Sequence, residues 1–402
     1  MFRFWSIIAF VFFIIGGVMG LLMRFVAVFP MESMDYGFMR QGHSHVAFLG
    51  WGYLALMVLL VKSFLPAGTL DRKVYRWNLW LTVLSVAGMI FSFPLTGYKA
   101  LSIALLMVFL VLSCWLVILF LKDFRQTSPK GISRSFVYAA FLFYLLSGIG
   151  PLALGPIVIL YGKTNIYYLA VYYYLHFLYN GFFVFAIFGL IYKYLESLNR
   201  VKANNGGKRF FQYSFIACIP AYALSALWLD PPVYVFWVAG ASAILQLIGF
   251  FYFFFDLRSL IGRFNGMLKK LFLLVIVSFG TKLIMQGLSA IPALAMKTYQ
   301  AKSYVVIGYI HLVVLGFISA FLLTWLFKEK SFDPTKKVSK VGVWIFFIGF
   351  FVSEAILFSK GLMQWLQTGG LGQFQELLLV FSTLIPLSLL VLWPARGKMA
   401  KS

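Results

Sequence analysis

Only 11 of the 402 residues are acidic, four are histidine and two are cysteine, and each scarcity removes a class of protein. Charged residues make up 11% of the chain and hydrophobic ones 62%, where a soluble globular domain carries about 25% charge. A domain bathed in water on all sides is excluded, and the composition is that of an integral membrane protein. Cys114 and Cys218 lie in separate apolar runs without CxxC or CxxCH spacing, which excludes a disulfide framework and a covalently attached haem. Both read as packing residues. The formal net charge of +23 would suit a nucleic-acid partner, but the basic residues come as short clusters between apolar runs, the pattern of a membrane face. No nucleic acid is expected.

What is abundant is long apolar sequence. Runs at 4–29, 36–61, 77–98, 100–121, 135–160, 166–192, 211–229, 233–255, 270–296, 303–327, 341–359 and 375–394 are each expected to be a spanning helix, since a bilayer core of about 30 Å takes ~20 helical residues. The expectation is one all-α domain over residues 1–402, with no soluble domain between the spans. The first run is too long for a signal-peptide core and lacks a small-residue cleavage site, so it is kept as a span. With the N-terminus inside, 26 of the 34 basic residues fall on the inner side and 7 on the outer, Lys282 standing within a span. Such asymmetry predicts that both termini are cytoplasmic, in what is expected to be a bacterial cytoplasmic membrane.

Three of these runs share one plan. Segments 45–62 (HVAFLGWGYLALMVLLVK), 176–193 (HFLYNGFFVFAIFGLIYK) and 311–328 (HLVVLGFISAFLLTWLFK) each open on histidine and place glycine five residues later, then an aromatic, then lysine seventeen residues on. The glycines are Gly50, Gly181 and Gly316, and the aromatics Trp51, Phe182 and Phe317. Two residues before each histidine stands a ring with a polar edge: His43, Tyr174 and Tyr309. These are the second, sixth and tenth runs, so the period is four and the chain reads as twelve helices in three pseudo-repeated four-helix units. Seventeen helical residues at 1.5 Å each place every key histidine roughly 26 Å from its inner lysine, in the outer part of the membrane.

A single intramembrane histidine is often a structural hydrogen bond between helices. Four of them in register favour ligands, because neutral imidazole suits a metal or haem iron and ionisable groups in a bilayer are costly. His43 and His45 differ by about 200° around a helix and face opposite ways, so His45, in register with His176 and His311, is the safer ligand. His43 then has either a second site or a supporting role like that open to Tyr174 and Tyr309. Lys282 and Glu354 are further polar residues inside spans, serving either as a structural pair or in proton or ion movement. Arg40, Lys99, Lys163, Lys297 and Lys302 stand near outer span ends as interface anchors or as cations for anionic cofactor groups.

With twelve spans, inner termini, a threefold repeat and histidines on spans two, six and ten, the chain resembles the haem–copper oxidase subunit I superfamily. That superfamily includes the nitric oxide reductases, and the HxH start of the second span is similar to that of NnrS-type haem-binding membrane proteins. The sequence signal is GHSHVAFLGW, YLHFLYNGFF and YIHLVVLGF. The resemblance implies a low-spin haem, of b type, held by His311 with His45 or His43, and assigns His176 to a copper or other metal. It also implies an electron-donor protein or further membrane subunits beside the lipid bilayer. The seventh run lacks the family's paired histidines, Tyr309 replaces one histidine of the tenth, and Asn180 stands where oxygen reductases carry tyrosine. The copper site is therefore expected to be degenerate, and the function redox or nitric-oxide related. The alternatives are a secondary transporter, or a membrane protein that binds copper or zinc through imidazoles.

Overall fold

The computed structural model describes all residues except 128–129, 199–204, 296–301, 370–371 and 398–402. It contains twelve helices long and apolar enough to cross a membrane. In chain order these are α1 (Phe2–Val28), α2 (Tyr36–Phe64), α3 (Lys73–Thr96), α4 (Ala100–Gln126), α5 (Ile132–Tyr161), α6 (Asn165–Ser197), α7 (Gly206–Leu229), α8 (Val233–Arg258), α9 (Gly266–Ser289), α10 (Tyr304–Lys328), α11 (Lys337–Leu366) and α12 (Phe374–Ala395). Every run expected from the sequence is one of them, and no named strand occurs among the described residues. Large apolar side chains point outward, Ile159 being 84% and Leu95 77% exposed, which water would penalise and lipid would not.

The chain divides into two compact units. The first comprises residues 1–128, 266–271 and 314–402, and the second residues 129–265 and 272–313. Within the first, α2 packs against α1 and α3, α3 against α4, and α11 against α12. Trp51 of α2 stacks on Phe13 of α1 at 4.5 Å, and its indole N–H donates to Ser319 Oγ of α10 at 2.8 Å. Near the basic ends of α3 and α4, Arg72 and Tyr75 both donate to the Asp123 carboxylate, which ties the two helices together. Within the second unit α6 packs against α5, and α7 against α8. The most apolar stretches of α2 and α6 are each 83% buried, against 28–61% for the other spans. Each is therefore the central helix of its own unit.

The three motif helices share a feature that the sequence pattern alone does not show. Just after His45, from His176 itself, and just after His311, the α-helix widens into an eight-residue π-helix, over Val46–Tyr53, His176–Phe183 and Leu312–Ser319. A π-helix closes its hydrogen bonds to i+5, and such segments collect at functional sites. Each segment contains the motif glycine and the aromatic after it, and Trp51, Phe182 and Phe317 are all fully buried. The wider turn adds less rise per residue, so the roughly 26 Å expected between each histidine and its lysine at α-helical rise is too long. The shortening is of the same kind in all three helices.

The glycines admit close neighbours. A Cβ on Gly50 would stand 2.8 Å from the Phe12 ring of α1, and one on Gly181 would stand 2.5 Å from Phe143 Cβ of α5. In both cases a phenylalanine of the preceding span fills the space that a side chain would need.

Candidate functional site

Around the second span, Asp35 caps the start of α2 by accepting the Phe38 amide at 2.8 Å, and the first turns carry the two histidines to opposite sides. His43 turns toward α1, where its Nδ1–H donates to the Gly16 carbonyl at 2.9 Å. Its ring fits there because residue 20 is glycine, whose added Cβ would lie 2.9 Å from the imidazole. His45 turns toward α3. Its ring stacks on Phe93 at 4.4 Å and 9°, and its Nδ1–H donates to the Gln41 carbonyl one turn back at 2.7 Å.

A carbonyl can only accept, so Nδ1 carries the proton in both rings and the Nε2 lone pair points elsewhere. Pinning one ring nitrogen on a carbonyl, which fixes tautomer and orientation, is how proteins prepare an imidazole to ligate through the other. The nearest group to His45 Nε2 is the Tyr98 hydroxyl at 3.5 Å, too long for a strong bond. Phe93 and Tyr98 were not singled out from the sequence, where they are two aromatics among many.

His176 is held differently. It is 1% exposed, its Nε2–H donates to the Cys218 carbonyl of α7 at 2.8 Å, and its Nδ1 accepts the Asn180 Nδ2–H at 3.2 Å. Both ring nitrogens are engaged by protein. Cys218 therefore does more than pack, since its carbonyl holds the imidazole while its thiol lies 3.9 Å from the Asn180 carbonyl. Asn180 Oδ1 is buried and accepts no hydrogen bond. Asn180, Ser214, Cys218, Gln246, Phe279 and Lys282 share the wall of a cavity of about 20 Å³. Lys282 is 1% exposed, with its ammonium 5.3 Å from the Phe279 ring.

The remaining predicted residues are distributed as follows. Tyr174 packs its backbone on Gly150 of α5, where an added Cβ would lie 2.8 Å from Tyr174 Cβ. Tyr309 meets the ring of Tyr179 at 6.5 Å, and His311 closes the last α-turn before the π-helix of α10. Glu354 is buried on α11, and Arg24 of α1 is the cation whose charge acts on it. The sequence gave no reason to single out Arg24, which sits in an otherwise apolar span. Lys297 lies outside the described residues. Among those residues, no three His, Cys, Asp or Glu side chains gather as a metal site.

Comparison with known proteins is consistent with this architecture. No curated protein matches the sequence. The fold is similar to that in a cryo-EM structure of a haem–copper terminal oxidase dimer, with a TM-score of 0.73 and 11% identity, over 100% of this chain and 85% of that one. The family model for Cytochrome C and Quinol oxidase polypeptide I matches residues 1–388, nearly the whole length. The chain therefore belongs to the haem–copper oxidase subunit I family.

Proposed function

We propose that this protein binds a low-spin b-type haem in the bilayer through His311 and a histidine of α2, and that it handles electrons or nitric oxide rather than reducing oxygen. The observation that carries the reading is the pinning of Nδ1 of both His43 and His45 on backbone carbonyls, which leaves Nε2 for iron. His45 is the favoured partner of His311, because the two stand in the same register of their motifs and both precede a π-helix. When bound, the haem supplies one-electron chemistry and a diatomic-binding iron. The protein's part is to orient the imidazoles, with the stacked Phe93 fixing the plane of His45.

A three-imidazole copper centre does not fit. His176 is one imidazole with both nitrogens already engaged, α7 offers Cys218 and Ser214 where histidines would be needed, and an ammonium lines the adjoining cavity. That mismatch is the reason for setting oxygen reduction aside. Electrons are expected from a partner protein or membrane subunit. The test is the absorption spectrum of detergent-purified protein reconstituted with haem: a Soret band with low-spin features is expected, and its absence overturns the proposal.

A further inference from the structure

We infer that Lys282 takes the place of a metal beside His176: the cavity between α6, α7, α8 and α9 is a metal-free site whose positive charge is the lysine's own, and it takes a single water. This rests on the foregoing reading of His176 as the remnant of a metal position. Three observations support it.

The first is room. At about 20 Å³ the cavity matches one water, since about 10–15 Å³ of such volume is the least that holds one. The second is chemistry. Lys282 brings donors, Asn180 Oδ1 is a buried acceptor with no hydrogen bond, and Ser214 and Gln246 complete a polar wall. A water that accepts from the ammonium and donates to Asn180 Oδ1 satisfies both, and two to four polar partners are what a buried water requires.

The third is charge. The unit that contains Lys282 has three carboxylates, and none is placed to neutralise it. Glu196 accepts from the Ser133 amide and hydroxyl, Asp256 accepts from the Tyr192 hydroxyl, and Asp230 is exposed beyond the end of α7. A second cation in the same cavity would meet the ammonium at close range without water to screen it. The lysine thus excludes the metal ion whose charge it replaces. From Lys282 the polar connection runs through water to Asn180, from the Asn180 amide to His176 Nδ1, and from His176 Nε2–H to the Cys218 carbonyl. His176 is thereby fixed as a neutral donor, and Lys282 acts on it as a positioning residue.

The experiment is a charge cycle in the cavity, read on the purified haem-reconstituted protein together with its metal content. Gln246→Glu places a carboxylate on the cavity wall with almost no change of shape. Combined with Lys282 it is expected to shift Tm little. In the Lys282→Met background the same substitution buries an unpaired carboxylate and is expected to lower Tm several-fold more. Lys282→Gln serves as a second neutral background should Lys282→Met not accumulate. Elemental analysis is expected to find iron and no stoichiometric copper or zinc. Equal effects of Gln246→Glu in both backgrounds, or one copper or zinc per chain that disappears in His176→Ala, would overturn the inference. The Soret band of the same samples judges the haem assignment separately, because it depends on neither Gln246 nor Lys282.

Discussion

Trp51 and Ser319, 268 residues apart, are joined by a 2.8 Å hydrogen bond from the indole N–H to the hydroxyl. Both sit in π-helical segments, six residues after His45 and eight after His311. The bond makes the second and tenth spans neighbours, which is the condition for one haem to draw a ligand from each. Ser319 also donates nothing else that competes, and both residues are fully buried. Replacing Ser319 by alanine strands the indole N–H, at a cost of about 1–3 kcal/mol. The expected result is a lower Tm for Ser319→Ala, while Trp51→Phe combined with Ser319→Ala loses less than the sum of the single changes. Strict additivity would show that the bond contributes nothing.

The haem assignment makes four single-residue statements. His311→Ala is expected to abolish the low-spin spectrum, since no other histidine of the tenth span can replace it. His45→Ala is expected to do the same, whereas His43→Ala leaves a low-spin band weakened by the loss of its α1 contact. His176→Ala should retain the low-spin signal. Optical and magnetic circular dichroism spectra of the four variants check this directly, and a Soret band unchanged in His311→Ala refutes the ligand set.

Close packing at the motif glycines is measurable. Gly181→Ala would drive a methyl to 2.5 Å from Phe143 Cβ, and overpacking of this kind typically costs about 1–3 kcal/mol. Thermal unfolding in detergent should show the loss, and Phe143→Ala should restore part of it in the double variant. Gly155, whose Cβ would meet nothing within 4 Å, is the control, with no loss expected on substitution by alanine.

Orientation rests on the 26-to-7 division of basic residues. Reporter fusions in the 195–209 and 328–340 loops are expected to be active only for cytoplasmic placement. External signals from both loops would invert the topology and put the histidines near the inner face.

The helix inventory was open to reading from the sequence because apolar length is a one-dimensional signal, and all twelve spans follow from it. The family was equally legible, since it rests on histidines whose spacing repeats. The surroundings of the histidines were not. That Gly20 makes room for His43, that Phe93 stacks on His45, or that the Cys218 carbonyl receives His176 depends on which helices touch, and periodicity within one helix carries no such information. Cys218 misled for the same reason: its function at this site comes from its backbone oxygen, which every residue possesses. The π-helices were hidden too, because an i→i+5 turn uses the same apolar residues as an i→i+4 turn.

Those three π-helices make the motif helices sensitive to chain length in a way their neighbours are not. In an α-helix each residue turns the chain by about 100°, so removing one residue from Val46–Tyr53 and letting the segment relax to α-helix rewinds everything beyond it relative to His45. Trp51 and the buried run behind it would then present a different face to their neighbours, although every side chain except one was still there. The histidine end and the lysine end of each such helix are thus held in a phase set by the count of residues between them. A single-codon deletion in these eight-residue windows should be far more damaging than a conservative substitution at the same place.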